Sequence, residues 1–147
     1  MDFSKIWKKF RFANKILDEN QHFVRLCRWD SEKKELEYKS FDLRNRDIEV
    51  ANKKGEPPCV SGQWLEYWKG DFAKAKEAIC QHITPNEKSK FCCLKVGSIK
   101  DIGTRYDMDL SVEHTGMGHA GIFNIQRNNH KFLRDMILEA MKNIRDK

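Results

Sequence analysis

Two histidines, His114 and His119, stand five residues apart in DLSVEHTGMGHAGIFNI, on either side of a turn broken by Gly116 and Gly118. An imidazole titrates near neutrality, so it can take or give a proton at physiological pH, and a neighbouring carboxylate can orient its ring. Glu113 precedes the first histidine. His119 and His114 are therefore candidates for acid and base, and Glu113 for their orienter, in a metal-independent, nuclease-like hydrolysis. Arg105 or Lys95 would then steady phosphate charge. Glycines 116, 118 and 121 let the backbone turn tightly and approach a ligand closely. The plainer alternative is a strand corner in which His119 caps the turn and His114 is simply exposed.

Other chemistries have less support. Two histidines with Glu113 or Asp109 offer a His/carboxylate set, but H-x4-H across a loop is not a diagnostic ligand spacing. Cys92 and Cys93 are adjacent, so in a strand they point to opposite faces and cannot chelate together. No metal site is predicted. Ser111 has no G-x-S-x-G elbow around it. Neither a P-loop nor a dinucleotide fingerprint occurs, and no cofactor is predicted. In QWLEYWKG, Trp64 and Trp68 lie one helical turn apart, with Tyr67 and Lys69 beside them. Exposed, the two tryptophans are a binding surface that stacks on bases; buried, they anchor a core, the commoner fate of Trp at that spacing.

The chain that must position these groups has 147 residues, enough for one domain with its own core. Nine Phe, four Trp and three Tyr give that core large pieces to bury. A net charge of +6 favours polyanionic partners: nucleic acid, acidic lipid or an acidic protein surface. No apolar run reaches the roughly 20 residues of a membrane span, and MDFSKIWKKF lacks a secretory signal's apolar stretch. Five cysteines, odd in number and without C-x-x-C, agree with a reduced, cytoplasmic setting.

Apolar residues at three- and four-residue steps predict an amphipathic helix over 3–17. Its basic face also suits a membrane surface or a partner groove, although docking on a sheet is the simpler use. Alternation over 22–29, a turn at DSEKK and a return through ELEYKSF predict a hairpin. Residues 42–62, with two prolines, two glycines and mixed charge, read as a long irregular loop. A helix is expected over 71–83 with Asp71 as N-cap, and a central strand at KFCCLKVGSI. A strand is predicted over RYDMDLSVEH, another from His119, and a final helix from about Asn129. The sum is one α+β domain over 1–147: a mainly antiparallel sheet of about five strands packed by about three helices.

Leu110, Ser111 and Val112, then His119, Ala120 and Ile122 ahead of the final helix, carry a short resemblance. The last third of the chain resembles small uncharacterised prokaryotic proteins that end in a strand reading LSV, a variable turn and HAxI. The resemblance implies no activity; it implies only that His119 matters. The sequence thus predicts a small basic binding or accessory protein for nucleic acid or another polyanionic partner. Its recognition surface would be the sheet edge near His119 together with loop 42–62. The alternatives are the hydrolase above, and a protein–protein adaptor or inhibitor presenting Trp64 and Trp68.

Overall fold

The computed structural model describes residues 14–145. Its spine is strand β2 (His22–Asp30), whose alternating apolar residues serve two cores at once. Phe23 and Cys27 enter one cluster of buried side chains, and Val24 enters a second. Successive strand residues point to opposite faces, so both faces of the sheet are covered.

Across the sheet the order is β1 (Lys15–Ile16), β6 (Ser111–Gly116), β7 (His119–Phe123), β4 (Cys59–Trp64), β2, β5 (Ser89–Lys95) and β8 (Ile144–Arg145). Strand β3 (Glu35–Leu36) pairs the far end of β2, and every pairing is antiparallel. Both edge strands are two residues long, which leaves little open ladder for another chain to join. Four helices accompany the sheet among the described residues: α1 (Asn45–Lys54), α2 (Phe72–Cys80), α3 (Val96–Arg105) and α4 (His130–Met141), with a 3₁₀ turn at Leu65–Trp68. None is long and apolar enough to cross a membrane.

Helices α3 and α4 bring Ile99, Ile102, Phe132, Leu133, Met136 and Ile137 onto Phe23, Leu94 and Ile122, forming the larger core. On the opposite face α2 lays Ala75 and Ile79 against Val24, Phe91 and Cys93. The α+β class and the antiparallel sheet agree with expectation, but among the described residues eight strands replace about five and four helices about three.

Three differences have physical causes. Residues 42–62 are not one irregular loop, because they hold α1 and the first four residues of β4. Helix α1 buries only Ala51, so it shows almost no apolar stripe. Its ends define it instead. The Asp47 carboxylate accepts from the Arg44 N–H at 2.8 Å, Lys53 and Lys54 complete the last turn, and Gly55 closes the helix at φ 66°.

Helix α3 begins where a strand and a turn are predicted. Gly97 and Gly103 disguise it, yet Val96, Ile99, Ile102 and Gly103 are buried at helical spacing. Gly103 is needed there: a Cβ would lie 2.6 Å from Leu110. Met108, Leu110 and Val112 alternate inward as expected, but the paired strand begins only at Ser111. Most of the helix predicted over 3–17 lies outside the described residues, and its last part, Lys15–Ile16, is strand.

Candidate functional site

The turn between β6 and β7 does carry both histidines, but it gives them different surroundings. The ladder pairs His114 with Ala120 and, after a bulge, Gly116 with His119. His114 lies against Trp64 and Tyr67, with ring centroids 5.0 and 5.1 Å away. Its Nε2 accepts the Gly118 N–H at 2.9 Å, so the neutral ring closes the turn it sits on. Burial, with Lys15 nearby, holds its pKa below the ordinary imidazole value. Glu113 is 1% exposed, and its Oε1 takes a hydrogen bond from the Asn14 amide at 3.2 Å.

His119 sits elsewhere. It pairs with Gln63 of β4, and its Nδ1 bonds the Thr115 hydroxyl. It lines two clefts. The first, about 410 Å³, lies between α1 and the β4–β7 pair, with Arg44, Arg46, Lys54, Ser61 and Thr115 around it. The second, about 710 Å³, lies toward α2 and holds Gln63, Trp68, Lys74, Gln81 and Met117. Burial, followed by the charges of Lys54, His114 and His82, holds the His119 pKa below its usual value. A neutral imidazole therefore faces a cleft edged by cations.

The cation-edged cleft opens where β2 and β4 part. They pair only at Phe23–Trp64 and Val24–Gln63. Beyond that point Arg25 fills the gap, its Nε donating to the Ser40 carbonyl at 2.9 Å and its Nη1 to the Ser61 carbonyl. Two glycines allow the close approach. A Cβ on Gly62 would stand 2.4 Å from the Val24 carbonyl oxygen, and one on Gly121 would stand 2.5 Å from Cys59 Sγ. The Cys59 thiol is pushed up to about 11 by burial, so at neutral pH it is protonated and a weak nucleophile. Of the two cleft carboxylates, Asp47 is occupied by Arg44 at the α1 cap, leaving Glu56 against Arg46 and Lys54.

The remaining sequence candidates disperse. Arg105 lies at the end of α3 on the opposite face, 3.4 Å from Asp135, and Lys95 is the exposed residue before α3; neither lines these two clefts. Trp64 is half-buried, its Nε1 donating to Gln21 at 2.6 Å and Lys15 Nζ lying 4.8 Å from its ring centre. Trp68 donates to Gln63 at 3.1 Å and borders the second cleft. Among the described residues no group of three or more His, Cys, Asp or Glu is placed to hold a metal ion. Arg44, Arg46, Lys54, Ser61 and Thr115 were not singled out from the sequence. The signal for the three cations is the mixed-charge run ahead of Gly55, which reads as a capped basic helix once the cap is recognised; Ser61 and Thr115 carry no such local signal.

Set against models of known families, curated proteins and solved structures, the chain matches none.

The two depressed histidines contribute a pH dependence to stability near neutrality. The unfolded chain takes up protons near the ordinary value of 6.5, while folded His114 and His119 resist until lower pH. Unfolding is therefore favoured as pH falls through that window, and stability is greatest above it. Denaturant midpoints should drop between pH 7.5 and 5.5, and the drop should shrink in His114→Phe. A flat wild-type profile would contradict these surroundings.

Proposed function

We propose that this protein is a binding module for a phosphate-bearing polyanion, which docks in the cleft between α1 and β4. One observation carries the reading. Arg44, Arg46 and Lys54 converge on a concave surface that also presents the Ser61 and Thr115 hydroxyls and neutral His119. Arg46 and Lys54 have no ion-pair partner among the described residues, so their charge is available to a ligand. Guanidinium groups suit phosphate oxygens because their donors form a fork. Hydroxyl and imidazole groups add hydrogen bonds without adding negative charge.

A hydrolase remains the second reading, and His119 is the observation in its favour, being neutral and beside the cationic cleft. It would act without His114, whose Nε2 is committed to Gly118. The test is binding and turnover of single-stranded and duplex nucleic acid at two salt concentrations, for wild type, Arg46→Glu/Lys54→Glu and His119→Ala. The reading expects salt-sensitive binding that falls at least about tenfold on double charge reversal, since each phosphate contact contributes to the salt slope. Cleavage lost in His119→Ala would move the assignment to the hydrolase. Binding unchanged by the charge reversals would overturn the assignment of this cleft.

A further inference from the structure

We infer that the second cleft is a base-binding subsite, so that the polyanion is a single-stranded nucleic acid running along β4 from α1 toward α2. This rests on the polyanion reading above and adds to it a ligand class and a path.

The path follows from strand geometry. Cys59, Ser61 and Gln63 alternate along β4 and so project to one face. Cys59 and Ser61 line the cationic cleft, Gln63 lines the second, and His119 stands opposite Gln63 at the junction. From Cys59 to Gln63 the strand advances roughly 13 Å at about 3.3 Å per residue. The two clefts are thus consecutive stations of one groove between α1 and α2, on the face opposite α3 and α4.

Their chemistry differs in the manner a single strand requires. The first station offers cations and hydroxyls for phosphate. The second offers a half-buried indole whose polar end is already satisfied by Gln63, with the thioether of Met117, 85% exposed, beside it. The Trp68 surface bordering this cleft can stack on any base, which is how sequence-tolerant single-strand binders gain affinity. Gln81 and Glu77 add a donor and acceptors for a base edge, and Lys74 a cation for the next phosphate. In a duplex the base faces are hidden in the stack, so only an unpaired strand can use such a station.

Gly118 shows that this arrangement is tightly built. It adopts φ 86°, and a Cβ there would meet the Trp68 ring at 2.8 Å and Gln63 Oε1 at 2.9 Å. The β6–β7 turn therefore clamps one side of the indole and carries Met117 alongside it.

The experiment compares four ligands by competition at matched salt: short oligothymidylate, an abasic oligomer of the same length, duplex DNA and inorganic polyphosphate. The proteins are wild type, Trp68→Leu and Met117→Asn. Leucine keeps an apolar side chain against the second core but gives up the ring and its hydrogen bond to Gln63. Asparagine tolerates the left-handed backbone at Met117, φ 49°, and folding is secured there because that side chain is exposed. Oligothymidylate is expected to bind most tightly of the four. Trp68→Leu should weaken it about tenfold or more, Met117→Asn a few-fold, and polyphosphate hardly at all, as for one stacked base. Equal binding of oligothymidylate and abasic oligomer, insensitive to both variants, would overturn the base subsite and leave the cationic cleft standing. Duplex binding as tight as the single strand would also overturn it. If none of the four binds, both this inference and the polyanion reading fail.

Discussion

Gly62→Ala is expected to lower the melting temperature by roughly 6–12 °C, taking an overpacking cost of about 3 kcal/mol and about 2–4 °C per kcal/mol for a domain of this size. The new Cβ would stand 2.4 Å from the Val24 carbonyl oxygen and 2.5 Å from Phe23 Cζ. The phenyl ring is itself fully buried, and the oxygen belongs to the backbone of β2. Neither can move without shifting the strand that serves both cores. Gly55→Ala is the control. A Cβ there meets nothing within 4 Å, and only its left-handed φ of 66° opposes the change, at a cost of about 1 kcal/mol. Thermal unfolding of the two variants side by side checks the claim. If Gly62→Ala shifts no more than Gly55→Ala, then β2 and β4 do not meet as described.

Arg25→Met should cost about 2–3 kcal/mol, because two carbonyls lose a charged donor while the side chain keeps its length and apolar stem. Arg25 joins Ser40 to Ser61 across the gap between β2 and β4, and its guanidinium lies 5.9 Å from the Phe41 ring centre. Methionine can still cover Phe41 but cannot donate. Part of the loss is returned by water, since the site is only half-buried, and this keeps the figure below the full penalty for two orphaned carbonyls. Arg25→Lys should fall between, since an ammonium cannot reproduce the two-directional fork. The readout is the denaturant midpoint at constant slope. A change under about 0.5 kcal/mol for Arg25→Met would mean that the gap is held by something else. Because Ser61 lines the cationic cleft, the same variant should also loosen polyanion binding.

Both effects concern positions whose importance is invisible along the chain. A glycine in VSG and an arginine alternating with apolar residues look ordinary, and only the splay of two strands makes one indispensable for space and the other for its donors. The same holds for the histidines. Their residue types and the glycine turn between them were legible, and that was enough to locate the neighbourhood of the clefts. Their separation into a turn-closing His114 and a cleft-facing His119 was not legible. It depends on a bulge at His114–Gly116, and a bulge breaks the period-two rule by which side-chain direction is read.

Where the apolar pattern was strong, local spacing was a faithful guide: β2, α2, the alternation of Met108, Leu110 and Val112, and α4. These segments bury a stripe or a face, and burial imposes its period on the sequence. Helix α1 buries one residue and leaves no such imprint, while the stripe of α3 includes a glycine and follows directly on an apolar strand, which hides where the period changes. The cationic cleft depends on α1, and its cations come from residues 44–54, far in sequence from His119. Charge and turn chemistry along the chain were enough to suggest a region to search. Which cations face which histidine, and that Trp68 borders a second cleft lined by the same histidine, came from packing distant segments on one face of a sheet, which no local period encodes.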